Sequence, residues 1–386
     1  MERLSDYCHV ISGYAFKSAD LKVDGDVPVI KIGNISNGGN ISINNETQYV
    51  ESSFLALNPK YHIKNGDIII SLTGSHMNQP NSMVGRSCRS YTSAEYLLNQ
   101  RAGKVIAKKN ADVNYLYYLL QTQAVKYAIV NRAYGAANQV NVSPSDVEHI
   151  KWDFPSYEVQ QKIGSVLSTY DDLIEKNNRK IAILQEQAQE IYKEWFVRFR
   201  FPGHESAKFE NGLPEGWKNG RIEDLCVFTR GRNITANEMQ EGLIPVISAG
   251  IEPSGYHNEA NVSGVSITAS SSGANAGFIA IHYSDIWAAD CSFVNNKTNI
   301  YYLYELFNSI RPCVFTLQRG AAQPHVYPKD INRLKLTVPS EGLQIKFNAV
   351  AEIMHSTIAV LMKENAKLSY QRDLLLPRLM SGKLGV

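Results

Sequence analysis

Residues 155–195 read PSYEVQQKIGSVLSTYDDLIEKNNRKIAILQEQAQEIYKEW, and residues 339–379 read PSEGLQIKFNAVAEIMHSTIAVLMKENAKLSYQRDLLLPRL. The two stretches align without a gap at a constant offset of 184 positions, pairing Pro155 with Pro339, Ser156 with Ser340, Gln160 with Gln344, Lys162 with Lys346 and Leu184 with Leu368. In the first, Leu167, Tyr170, Ile174, Asn177, Ile181, Leu184, Ala188, Ile191 and Trp195 recur at alternating steps of three and four, the seam of a coiled-coil helix. The matching seam runs Ala351, Met354, Ile358, Leu361, Asn365, Leu368, Arg372, Leu375 and Leu379. A proline precedes each helix, Phe201-Pro202-Gly203 stops the first, and Pro377 is expected to end or kink the second near Leu376. Some forty helical residues at 1.5 Å each make a rod of about 60 Å. An apolar seam needs a partner, and two alike in one chain pair most simply with each other. Because the chain leaves the first helix, builds a second globular part and returns through the second helix, the pair is expected to run antiparallel. Asn177 and Asn365, near the middle of each seam, would fix register at some cost in stability.

Upstream of the helices the repeat continues more loosely. Pro144 and Asp146 match Pro328 and Asp330, Tyr115-Leu116-Tyr117-Tyr118-Leu119 echoes Tyr302-Leu303-Tyr304-Glu305-Leu306, and Gly135-Ala136-Ala137 echoes Gly320-Ala321-Ala322. Short β-rich runs at 27–32, 67–73, 244–248, 265–269 and 278–282, bounded by Gly, Asn, Ser and Pro, read as strands, with short helices at 113–121 and 301–308. The expected fold class is therefore α+β: two mixed α/β domains in tandem, each followed by a long helix, the helices pairing as an antiparallel coiled coil with approximate two-fold pseudosymmetry. The expected boundaries are 1–154 for the first head, 155–200 for its helix, 201–216 for a linker, 217–338 for the second head, and 339–386 for the second helix and tail.

The chain has 386 residues, 44% hydrophobic and 20% charged, ordinary globular values that exclude long disorder. Its formal charge of +2 excludes a uniformly basic nucleic-acid coat, so any electrostatic footprint is local. No apolar run approaches a membrane span, and Met1-Glu2-Arg3-Leu4-Ser5-Asp6 carries charge where a signal peptide needs an apolar core, which leads us to expect a cytoplasmic protein. The five scattered cysteines form no Cys-x-x-Cys pair, so we expect free thiols and no metal site. Gly382-Lys383 is followed by Leu384 rather than Ser or Thr, His204-Glu205 lacks a second histidine, and Ser270-Ser271-Ser272-Gly273 is not a nucleophile elbow. No catalytic residue is expected.

Residues 86–132 hold eight basic side chains (Arg86, Arg89, Arg101, Lys104, Lys108, Lys109, Lys126, Arg132) against Glu95 and Asp112, a local +6; residues 296–340 reach +4. Basic side chains on phosphates provide salt-dependent affinity, whereas Arg, Asn, Gln, Ser and Thr at base edges provide specificity. In the first head the expected DNA contacts are Thr73, Ser75, His76, Asn78, Gln79, Arg86, Arg89, Arg101, Lys104, Arg132, Tyr134, Asn138 and Gln139. In the second they are Arg230, Arg232, Asn233, Ser271, Asn275, Arg319, Gln323 and His325.

The tandem plan, Leu213-Pro214-Glu215-Gly216-Trp217 opening the second head, Gly66-Asp67-Ile68-Ile69-Ile70 leading to Thr73-Gly74-Ser75, Leu98-Asn99-Gln100, and Leu375-Leu376-Pro377-Arg378-Leu379-Met380-Ser381-Gly382 together resemble the DNA specificity subunits of type I restriction-modification systems. The resemblance covers essentially the whole chain. It departs at Val159-Gln160-Gln161-Lys162-Ile163 and Leu343-Gln344-Ile345-Lys346-Phe347, where the family has Glu-Gln-x-x-Ile. It implies a non-catalytic subunit whose two target-recognition domains each read one half of a bipartite, asymmetric site on double-stranded DNA, with the helices setting the spacer. It further implies two modification (methyltransferase) subunits that methylate adenine and restriction subunits that cleave. S-adenosylmethionine, ATP and Mg2+ are expected on those partners and none on this chain. A non-catalytic coiled-coil scaffold that binds only protein is the alternative, and a solitary nuclease lacks a carboxylate-Lys constellation of convincing spacing.

Overall fold

The first long helix spans Tyr157–Tyr192 and runs on through a π turn, Lys193–Val197; the second spans Glu341–Met380. These are features of a computed structural model that describes residues 1–77, 79, 82–136, 139–296, 298–320 and 322–386. The chain forms two units, Met1–Asn178 with Lys363–Val386, and Arg179–Met362. The division passes through both long helices rather than along the segments 155–200 and 339–386.

In the first unit Asp171 is paired with Arg372. Asn177 donates to Asn365 Oδ1 at 3.0 Å and to Glu364 Oε2 at 3.1 Å, and Asn365 donates to Asn178 Oδ1 at 2.8 Å. Partners fall in number on one helix as they rise on the other, so the helices pair antiparallel, and the seam asparagines bond to each other across it. The seam is the covered face: Leu167, Asn177 and Ala188 are buried, as are Ala351, Ile358 and Leu379, while Tyr170, Ile174, Ile181, Leu184, Ile191, Met354, Leu361, Leu368 and Leu375 are half-buried. Pro377 does not end the helix near Leu376, since the helix runs on to Met380. Only the last turn lies beyond it, so one backbone bond is forgone, and the burial of Leu379 and Met380 in the first unit's core holds that turn. The second helix also contains an 18-residue window apolar enough by length and composition to cross a membrane, with a mean hydropathy of 1.2. Phe347 and Ala351 on the same helix are packed in the second unit's core, and Ile358 is fully buried.

The heads share one topology even where their sequences part. In the first unit an antiparallel sheet has the order Cys8–Ser12, Ala102–Ala107, Ile68–Ser71, Ser87–Arg89; in the second the order is Thr229–Arg230, Cys291–Val294, Ser266–Ser270, Ile279–His282. A second sheet places Gln48–Val50 beside Val27–Ile30 and that strand parallel to Tyr96–Leu98, with His62–Ile63 at the edge; its counterpart is Gly255–His257, Ile244–Ile247, Trp287–Ala288. The expected helices appear as Val113–Gln121 and Ile300–Ser309. Within the segment 201–216, expected as the linker, Phe209–Glu210 pairs with Leu213–Pro214 as a tight hairpin.

Equivalent positions also make equivalent contacts. Gln160 Nε2 donates to the Pro155 carbonyl at 2.9 Å, and Gln344 Nε2 donates to the Pro339 carbonyl at 2.9 Å. Asp112 caps the helix Val113–Gln121 by accepting from the Tyr115 N–H at 2.9 Å, and Gly164 makes room for it: a Cβ there would lie 2.4 Å from Asp112 Oδ1. At the matching place the second unit has Asn348, whose Oδ1 accepts from the Tyr301 N–H at 3.0 Å, so the long helix itself caps the short one. The Tyr118 hydroxyl donates to Asp171 at 2.6 Å in the first unit; the matching pair in the second is Glu305 and His355, 3.0 Å apart.

Candidate nucleic-acid interface

Each unit folds a small three-strand arrangement beside its larger sheets. In the first, Tyr134–Ala136 pairs with Gln139–Asn141, which pairs with Thr73–Gly74. In the second, single bridges join Arg319 to His325 and His325 to Ser272. Tyr134, Gln139, Arg132, Arg319 and Gln323 are exposed on these arrangements. Arg319 is paired with Asp330 at 2.8 Å, and His325, half-buried, stacks on Tyr327. Asn78 and Asn138 lie outside the described residues.

Several expected contacts face inward. Thr73 is buried and donates to Asn141 Oδ1 at 2.8 Å; Ser75 is buried and donates to the Gln79 carbonyl at 2.7 Å. Ser271 is buried as well. These positions lie in or beside central strands that are buried on both faces, Ile68–Ser71 and Ser266–Ser270 at every residue, so a side chain there is inside whatever its polarity. His76, Arg86 and Asn275 are half-buried, and Gln79, Arg101, Arg230, Arg232 and Asn233 are exposed.

The basic window 86–132 is likewise not a surface patch. Arg89 is buried with its guanidinium 4.5 Å from the Tyr117 ring centroid. Lys104 is buried and donates to the His62 carbonyl at 2.7 Å, with Asp67 at 3.3 Å. Lys126 is buried too, donating to Asn37 Oδ1 at 2.7 Å and Gln121 Oε1 at 3.2 Å, and desolvation pushes its ammonium down to about 8. Arg86 reaches the Ile32 carbonyl at 3.1 Å, and its burial lowers its pKa. Arg101, Lys109 and Arg132 remain exposed. Counting charge along the chain overstates a patch because strand and helix periodicity divides those charges between core and surface. In the second unit Arg319, Lys329, Arg333 and Lys335 are all exposed, and the first three line one open cleft with Tyr327.

Sequence reading named Arg232 and Asn233 but missed the polar pocket of the second unit that they line with His257. It holds about 190 Å³ and is lined by Arg232, Asn233, Gln240, His257, Asn258 and Trp287 among others. His257 is 6% exposed; its Nδ1 accepts from the Gln240 backbone N–H at 3.0 Å, and its ring meets Trp287 edge to face at 5.0 Å. Arg232 lies over the same Trp287 ring at 5.8 Å. The signal that could have found it is the pairing of Val27-Pro28-Val29-Ile30 with Ile244-Pro245-Val246-Ile247, an echo of the repeat inside the divergent heads. Among the described residues no group of three or more His, Cys, Asp or Glu side chains gathers as for a metal ion.

Comparison with known proteins agrees with this anatomy. Residues 1–186 and 214–367 match the type I restriction modification DNA specificity domain, so the match falls twice, once on each head with its helix. The chain is 26% identical over 319 residues to the type I restriction enzyme MjaIX specificity subunit of Methanocaldococcus jannaschii, covering 75% of this chain and 73% of that one. Its fold is similar to the crystal structure of the type I restriction-modification system S subunit from M. genitalium, with a TM-score of 0.59 at 18% identity over 98% of this chain and 95% of that one. With two heads of one topology, each followed by a long helix and each matching the same specificity domain, the chain belongs to the family of type I restriction-modification specificity subunits, whose role is recognition of DNA sequence.

Proposed function

We propose that each head reads one half of a bipartite, asymmetric site on double-stranded DNA and that the long helices set the number of unread base pairs between the halves. The observation that carries this reading is the repeat itself. Two heads share sheet order, helix caps and helix junctions while differing in the exposed side chains they present. Two readers of common build and unlike surface suit two unlike half-sites.

In this reading exposed Arg101, Lys109 and Arg132 in the first head and Arg319, Lys329 and Arg333 in the second hold phosphates, supplying affinity without sequence information. The chain contributes no catalytic step. Two methyltransferase subunits carrying S-adenosylmethionine methylate adenine in each half-site, and restriction subunits using ATP and Mg2+ cleave unmodified DNA, all in the cytoplasm. The outward faces of the long helices suit the modification subunits, since Ile183, Ile353, Val360 and Tyr370 are exposed apolar residues on them.

The test is a genome-wide map of adenine methylation in cells expressing this chain with its methyltransferase subunit, beside cells expressing the methyltransferase alone. The expected result is a new motif of two short, unlike half-sites separated by a fixed run of unread bases. No new methylation from a soluble, co-purifying complex would refute the reading.

A further inference from the structure

The two heads differ at one place that strand register compares position by position. Strand register equates Val27, Val29, Val50, Leu97 and Leu98 with Ile244, Val246, His257, Trp287 and Ala288. The preceding turns correspond as well. The Tyr14 N–H donates to the Leu98 carbonyl at 2.8 Å, and the Arg232 N–H donates to the Ala288 carbonyl at 2.9 Å. The glycine before each passes so close to that carbonyl that a Cβ would sit 2.2 Å away at Gly13 and 2.5 Å away at Gly231.

The same scaffold is filled differently. In the first head Val50 is fully buried with Phe16, Val27, Val29 and Leu97, and residues 51–63 fold over them, adding Phe54, Leu55 and Leu57. The second head has no insertion like residues 51–63, because residues 258–265 lead directly to the next central strand at Ser266; Ile234 and Met239 pack over Val246 and Trp287 instead. His257, 6% exposed, stands where Val50 stands, and it lines a polar pocket instead of joining the apolar cluster. Position 14 is likewise Tyr in the first head, while its counterpart, Arg232, lines the pocket.

We infer that this pocket is a base-reading site of the second head and that His257 is a specificity-determining residue within it. Its hydrogen bonding assigns the tautomer. Nδ1 accepts from the Gln240 N–H, so the proton of the neutral ring is on Nε2, which has no protein partner among the described residues and is the group the ring has to offer in the pocket. A fixed donor selects an acceptor, as purine N7, guanine O6 or thymine O4 present in the major groove, against the amino donor of cytosine. Gln240 and Asn258 are tied to one another, Asn258 Nδ2 donating to Gln240 Oε1 at 3.0 Å, which holds the rim in one arrangement. A volume of about 190 Å³ is below the few hundred Å³ of a small-molecule site and suits the edge of a base rather than a bound metabolite.

The inference rests on the reading of the heads as DNA readers, and the experiment separates the two. Once the wild-type motif is mapped, His257→Asn is assembled with the methyltransferase subunit and its methylation map is compared. Asparagine retains an acceptor for the Gln240 N–H and removes the Nε2 donor. The expected result is loss of preference at one position of one half-site, roughly 5- to 150-fold, with the other half-site unchanged. His257→Gln, which keeps an amide donor near the place of Nε2, should retain part of that preference. An unchanged motif with His257→Asn, or equal relaxation of both half-sites, overturns the inference and leaves the bipartite reading standing. If the asparagine variant methylates nothing, competition binding on duplexes substituted position by position decides: discrimination retained at every position overturns the inference. A wild-type complex with no bipartite motif is the separate failure of the reading beneath it.

Discussion

Replacing His355 by alanine should break the junction between the second long helix and the short helix Ile300–Ser309. The ring is fully buried and Glu305 is 1% exposed. Nε2 lies 3.0 Å from Glu305 Oε1, and Nδ1 lies 2.8 Å from the Tyr283 hydroxyl, which burial keeps protonated and able to donate. The ring also stacks on Tyr301 at 4.9 Å and meets Tyr304 edge-on at 5.6 Å. Among the described residues, alanine leaves the Glu305 carboxyl with only the Asn308 amide, at 3.5 Å. Deleting one member of a buried charged or hydrogen-bonded pair costs about 3–5 kcal/mol, chiefly because the other is stranded. In a unit of this size each kcal/mol moves the midpoint by about 2–4 °C, so the second unit's calorimetric transition should fall by roughly 6–20 °C. The double variant Glu305→Ala, His355→Ala should be less damaged than the sum of the singles by about 0.5–3 kcal/mol. A single-variant loss under about 1 kcal/mol, or strict additivity, would show that ring packing alone holds the junction.

Three further outcomes follow from the same geometry. Burial lowers the His282 pKa to about 4, below its ordinary value of about 6.5. The unfolded chain then binds more protons between those values, so stability is full above about pH 6.5 and falls toward pH 4, by at most about 3 kcal/mol; His282→Gln should flatten that acid limb in urea titrations, and an unaltered limb would remove His282 as its source. Cys8, Cys88, Cys226 and Cys291 are buried with thiols pushed up to about 12, while Cys313 is exposed, so a disulfide reagent should titrate one fast thiol in the native chain and five after unfolding. Arg101→Ala should reduce the salt slope of DNA binding by about 0.9, whereas Lys104→Ala should lower the melting temperature and leave the slope alone, because Lys104 is spent on His62 and Asp67; equal slope losses for both would contradict that assignment.

Both long helices were legible because a seam at steps of three and four repeats over forty residues and then recurs at a fixed offset, and the short helices and main strands followed from local pattern. The candidate interface was legible only in part. Of the expected contacts Arg101, Arg132, Tyr134 and Arg319 are exposed, but Arg89, Lys104, Thr73 and Ser271, expected at the surface on side-chain chemistry alone, are buried. Whether a lysine faces water or a backbone carbonyl depends on which strand lies beside it, and that neighbour is distant in sequence: Lys104 meets His62 and Asp67.

The sequence by itself determined the tandem plan, the antiparallel helix pair and the class of protein, since these depend on periodicity, repetition and short runs of residues that need no knowledge of distant neighbours. The tertiary structure decided which equivalent positions do equivalent work. It showed Asn348 capping from the long helix where Gly164 makes room for Asp112, and Glu305 with His355 standing for Tyr118 with Asp171. It also decided that His257 lines an open pocket where Val50 is sealed in a core. The physical reason is the same in each case: a side chain's role is set by the atoms within a few ångströms of it, and strand register brings those atoms from far along the chain.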